Sequence, residues 1–195
     1  MTLPDRLQLP VAFDPGPLRR DLEGLASEPW IEHFVRQNYD GDWSVLPLRA
    51  TAGANHPVMQ IYSDPTATAF EDTVLLDRCP HARRVLAWFQ CPLRAVRLLR
   101  LTPGSVIKEH RDHDLDAELG TVRIHVPITT NPGVVFELNR RAVEMAPGTV
   151  WYLRLSDPHR VVNRGDSDRV HLVIDAEVNA WMDAMLRRVA QAPDR

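Results

Sequence analysis

Cysteine is scarce in this chain: only Cys79 and Cys91 occur among 195 residues. Two thiols exclude a disulfide framework, and their spacing matches no metal-binding pattern. They read as reduced thiols of a cytoplasmic protein. Absent too is any apolar run near the roughly 20 residues that a membrane span needs. The start, MTLPDRLQLPVAFDPGPL, places proline and charge where a secretory signal needs a continuous apolar core. Neither sign of charge dominates, since 23 basic and 26 acidic residues are interleaved to a net charge of −3. No basic stripe points to nucleic acid and no charged tail to a membrane surface. Lys108 is the only lysine among those basic residues, a bias without functional meaning by itself.

What is present suits one ordinary globular domain over 1–195, with 44% hydrophobic and 25% charged residues. Residues 16–38 read as helical, with Pro17 suited to a first turn and Leu18, Leu22 and Leu25 at helical spacing. Trp30, Phe34 and Val35 suggest a second short helix. From Trp43 to His56 the pattern is extended and runs into a loop containing Gly and Asn; 65–80 is ambiguous, and His81 to Gln90 reads as a short helix.

Beyond residue 93 the period changes to two. Strands are predicted over 95–102, 105–111, 121–129, 134–138, 141–146, 149–155, 159–163 and 168–176. Turn sequences such as Thr102-Pro103-Gly104 and Asn131-Pro132-Gly133 separate them. Short strands at this spacing, without long helices between them, predict a mainly β fold of the jelly-roll or cupin type. The layout is thus 1–94 helices and supporting strands, 95–178 barrel, and 179–195 a C-terminal amphipathic helix.

Within the barrel, His110 and Asp112 are two apart, so an extended strand turns both to one face. His159 follows in Ser156-Asp157-Pro158-His159, a tight entry into a later strand that can reach them from the opposite side. Two imidazoles and a carboxylate can hold a divalent metal and leave positions open, as in non-haem Fe(II) oxygenases. Zinc suits the same donors, and an isolated His-X-Asp is commonly no ligand at all. Arg123 and His125 alternate with Val122, Ile124 and Val126; they face the lumen if the apolar side packs outward. Turned over, the same strand has a solvated polar face, the commoner arrangement. Arg169 and His171 pose the same question, although a planar guanidinium suits a carboxylate held at two points. His33, His56, His81 and His113 have no partner spacing and read as structural or exposed, and Asp114 and Asp116 as solvated loop charges.

The stretch from Leu101 to Asp112, then Arg123 to Ile128, Pro158 to Gly165 and Asp168 to Asp175 resembles the aspartyl/asparaginyl β-hydroxylase family. The likeness is close over 95–178 and loose around Trp43 to Arg49. It implies a double-stranded β-helix and an Fe(II)- and 2-oxoglutarate-dependent dioxygenase using O2. On this likeness His110, Asp112 and His159 ligate iron; some members lack the carboxylate that this chain keeps. Arg169 pairs with the distal carboxylate of 2-oxoglutarate. His125 lies beside the co-substrate, and Arg123 contacts co-substrate or the substrate carboxylate. Arg49 is a candidate substrate-side cation, with a structural salt bridge the competing role. The same resemblance implies as substrate an amino acid, such as proline, or a peptide side chain of the Asp/Asn type. Unlike animal members, the chain is expected to lack a transmembrane anchor and a helical-repeat domain, which weighs against hydroxylation of a folded module. The competing classes are a metal-binding cupin that senses or binds without catalysis, and a zinc hydrolase or isomerase.

Overall fold

The computed structural model describes residues 2–62, 64 and 66–192. Pro65, in the stretch that reads ambiguously, and the last three residues of the C-terminal segment lie outside them. The strands are β1 (Arg6–Ala12), β2 (Ile31–Glu32), β3 (Tyr39–Asp40), β4 (Trp43–Thr51), β5 (Phe70–Asp72), β6 (Leu93–Leu101) and β7 (Val106–His110). They continue as β8 (Thr121–Thr129), β9 (Val134–Leu138), β10 (Arg141–Ala142), β11 (Thr149–Leu153), β12 (His159–Asn163) and β13 (Arg169–Glu177). The helices are α1 (Pro15–Gly24), α2 (Pro57–Ile61), α3 (Val74–Asp77), α4 (Pro80–Leu86) and α5 (Ala180–Ala190). One sheet runs β1-β11-β8-β13-β6-β4-β2 with β5 on β4, and the other runs β10-β9-β12-β7-β3. The two face each other across a shared lumen, the double-stranded β-helix that the strand pattern predicts.

Alternation of side chains decides which face looks inward. On β8, Val122, Ile124, Val126 and Ile128 are buried in the outer core. On β13 the same face carries Val170, Leu172, Ile174 and Ala176. Helices supply the other half of this layer through Leu18, Val85, Met182, Met185 and Leu186. Each such aliphatic side chain contributes about 1.5–3 kcal/mol on burial. The opposite faces therefore turn Arg123, His125, Arg169, His171 and Asp175 into the lumen. There a second core of Tyr39, Trp43, Leu101, Ile107, Phe136 and Val161 closes part of the space.

The structure corrects several expectations. The helix predicted over 16–38 stops at Gly24, and of the second short helix only a single 3-10 turn forms, at Arg36–Asn38. Ile31 and Glu32 instead pair with Val45 and Ser44 at the sheet edge, and the His33 amide donates to the Trp43 carbonyl at 2.9 Å. Edge pairing here outweighs helical spacing. The strand β1 went unread because Pro10 interrupts its Leu7/Leu9 alternation; it lies on the sheet edge, where a missing N–H is tolerated. The loop after β4 contains α2, whose Val58 amide is accepted by the His56 side chain. The strand predicted over 141–146 shrinks to Arg141–Ala142, while 121–129, 134–138 and 159–163 form as expected.

Candidate metal and co-substrate site

His110 ends β7 and His159 opens β12, and the two are register partners on neighbouring strands. His159 thus reaches the site from the adjacent strand of the same sheet, not from the opposite side. The cause is its position: antiparallel pairing of β7 with β12 sets the end of one strand beside the start of the other. Asp112 lies just past β7, where its amide donates to the Leu155 carbonyl at 2.8 Å. Ligand atoms of His110, Asp112 and His159 all fall within 4.8 Å of one another. His110 Nε2 stands 3.9 Å from Asp112 Oδ1.

Both imidazoles are prepared as ligands. His110 Nδ1 is 2.7 Å from the Lys108 carbonyl, and His159 Nδ1 is 3.0 Å from the Asp157 carbonyl. A carbonyl only accepts, so each ring carries its proton on Nδ1 and leaves the Nε2 lone pair free for a metal. Burial, together with the nearby His110, pulls the His159 pKa down to about 4, so the ring is neutral at pH 7. Phe136 lies parallel to the His159 ring, with centroids 6.3 Å apart, and Trp43 flanks His110.

Across the lumen, Arg169 is 2% exposed. Its Nη2 donates to His171 Nδ1 at 2.9 Å, while its Nε has no hydrogen-bond partner. Among the described residues no carboxylate pairs with it. Burial alone lowers its pKa to about 9. His125 is buried beside it, and its Nε2 also lacks a partner; burial and the Arg169 charge hold that ring neutral. A small cavity is lined by His110, Asp112, His159, Arg123, His125 and Arg169 together. An orphaned cation and an orphaned imidazole nitrogen beside three metal-type donors fit an anion that reaches from the metal position to Arg169.

Arg123 lines both cavities and is held there by carboxylates of the protein. Its Nε and Nη2 bind the two oxygens of Asp175 at 2.6 and 2.9 Å, and its Nη1 binds Asp112 Oδ2 at 3.0 Å. Its three nitrogens thus each serve a carboxylate of the protein. Arg49 is spent on structure: it binds Asp72 at 2.5 Å and the carbonyls of Phe70 and Leu93. It does not line the larger cavity, which has a volume of about 390 Å³. The cations that do so are Arg94, Arg97, Arg111 and Arg123.

That cavity also takes in residues the sequence reading set aside. His33, His113 and Asp114 line it. The His33 ring stacks on Trp43 with centroids 3.6 Å apart and planes 6° apart. Arg97, on β6, binds Asp175 Oδ2 at 2.9 Å. Inward alternation on β6 could have flagged Arg97; nothing local singles out His33, whose place depends on edge pairing.

Comparison with known proteins agrees with this geometry. Residues 17–178 match the model of a family described as Aspartyl/Asparaginyl beta-hydroxylase. An L-proline cis-4-hydroxylase of Rhizobium meliloti (strain 1021) is 27% identical over 186 residues, covering 93% of this chain and 64% of that protein. An L-proline cis-3-hydroxylase 1 of Streptomyces sp is 25% identical over 194 residues, covering 94% and 66%. The chain thus spans somewhat under two thirds of the length of these curated relatives. The fold is shared with a 2OG-Fe(II) oxygenase family oxidoreductase from Burkholderia pseudomallei at TM-score 0.53 and 20% identity, over 89% of this chain and 85% of that one. It is shared too with a Pseudomonas putida prolyl-4-hydroxylase at TM-score 0.54 and 13% identity, over 90% and 94%.

Proposed function

The chain belongs to the aspartyl/asparaginyl β-hydroxylase family, and from that premise we propose that it is an Fe(II)- and 2-oxoglutarate-dependent hydroxylase of an amino-acid substrate. One observation carries the reading: a buried arginine with no carboxylate partner among the described residues shares a cavity with a His/Asp/His trio. A sensor cupin needs the trio but not the orphaned cation.

In this reading His110, Asp112 and His159 hold the iron. Arg169 receives the distal carboxylate of 2-oxoglutarate, and His125 lies beside the co-substrate. When bound, iron, 2-oxoglutarate and O2 supply the oxidation: 2-oxoglutarate goes to succinate and CO2, and a substrate C–H gains oxygen. The protein's part is to bind, orient and exclude water. Phe136 and Trp43 wall off the imidazoles, and the anion at Arg169 replaces a solvation shell that burial has removed.

The substrate belongs in the larger cavity, whose apolar wall includes Val45, Ile61 and Leu99. Names of the relatives, hydroxylases of L-proline, support a free amino acid over a peptide side chain. The volume also leaves room for one bulkier than proline.

The test is anaerobic addition of Fe(II) and 2-oxoglutarate to metal-free protein. A visible charge-transfer band is expected, lost in His110→Ala and His159→Ala. Iron binding without the band, and without succinate formation in air, would move the assignment to the non-catalytic cupin.

A further inference from the structure

Asp112 is the one member of the trio without a strand beneath it, since β7 ends at His110. A carboxylate on a loop can turn, and can offer a metal one oxygen or two. What fixes it comes from the opposite sheet. Asp112 Oδ2 accepts from Arg123 Nη1 at 3.0 Å, while Oδ1 is the oxygen that faces His110 Nε2 at 3.9 Å. Arg123 is itself immobilised: Asp175, its register partner on β13, grips it at two points, at 2.6 and 2.9 Å. Asp175 is tied in turn to Arg97 at 2.9 Å. Side-chain exposures of 4% for Arg97, 4% for Asp175 and 14% for Arg123 shield the anchoring end of the row from water, while the Asp112 end is 31% exposed. Charges alternate along this row, so each buried ion has a partner of opposite sign on one side or both.

We propose that Arg123, locked by Asp175 and Arg97, is a positioning residue that holds Asp112 Oδ2 away from the metal and presents Oδ1 alone. The inference rests on the metal reading of the trio given above. It replaces the expected direct contact between Arg123 and the co-substrate with an action through the ligand. Partners that orient metal ligands typically matter about 10–100-fold in metal affinity, and that is the effect expected here.

Co(II) titration of the metal-free full chain tests it, reading both affinity and the visible d–d spectrum. Arg123→Gln should weaken Co(II) binding about 10–100-fold and alter the spectrum. Arg123→Lys, which keeps the charge, should recover part of the loss. Asp175→Asn, which loosens Arg123, should shift affinity in the same direction by less. The decisive comparison is a cycle with Asp112→Ala, in which Arg123→Gln should add nothing to an already weakened site. A folded Arg123→Gln protein with unchanged affinity and spectrum would overturn the proposal. So would an equal loss from Arg123→Gln with and without Asp112. If Arg123→Gln fails to fold, Arg123→Lys and Asp175→Asn carry the same comparison. Failure of the parent protein to bind Co(II) overturns the metal reading itself, and the inference with it.

Discussion

Arg169 and His171, two residues apart on β13, share a hydrogen bond of 2.9 Å, yet a neutral imidazole cannot balance a buried guanidinium. Arg169 is therefore a site of local instability that an anion should relieve. Addition of 2-oxoglutarate with metal should raise the melting temperature of the parent protein. Arg169→Met should stabilise the ligand-free chain by about 1 kcal/mol or more and abolish that ligand-induced rise. A destabilised Arg169→Met protein that still responds to 2-oxoglutarate would remove the role assigned to this residue.

The trio should divide unequally on mutation. His110→Ala and His159→Ala should each reduce Zn(II) or Co(II) affinity to near background by calorimetry, because each leaves a single imidazole with the loop carboxylate Asp112. Asp112→Ala should weaken it less, since both imidazoles persist, fixed by the Lys108 and Asp157 carbonyls.

Acid should destabilise the metal-free protein through histidines held neutral, the half-buried His33 and the buried His159. Burial, with the Arg123 charge, holds His33 at about 3, and burial with His110 holds His159 at about 4. Unfolded, both rings titrate near 6.5. Their contribution to stability is therefore complete above about pH 6.5 and declines as pH falls towards the folded values. Between pH 6.5 and 5 each should lose on the order of 1–2 kcal/mol. Urea melts should show this slope, shallower in His33→Gln; equal slopes would mean that His33 is not held neutral.

Arg49→Ala should lower stability by about 1–3 kcal/mol, through its charged hydrogen bonds to Asp72 and two carbonyls. Steady-state kinetics on any accepted substrate should leave KM unchanged. A large rise in KM at unchanged stability would restore Arg49 as a substrate contact.

Leu172 on β13 is fully buried in the outer core, directly behind the face that carries Arg169 and His171. Leu172→Ala should cost about 2–5 kcal/mol, measurable by chemical denaturation. A loss below about 0.5 kcal/mol would be that of a surface position, and the packing of this layer would need revision.

The period-two pattern after residue 93, the turn sequences and the His110/Asp112/His159 trio were all readable from the chain, because alternation and spacing are local properties. The inward turn of Arg123 and His125 was left open by alternation, which allowed a solvated polar face equally well; the helical layer packed on Val122, Ile124 and Val126 decides it. Tertiary structure alone decided the rest. Whether an arginine meets a carboxylate of the protein or waits for one from outside depends on which strands become neighbours. Arg123 and Arg169 look alike in sequence, each two residues before a histidine on a β-strand. Register sets Asp175 opposite Arg123 and no acid opposite Arg169. Strand pairing of that kind also brings His33 onto Trp43 and turns Arg49 to Asp72, contacts that alternation and residue spacing do not specify.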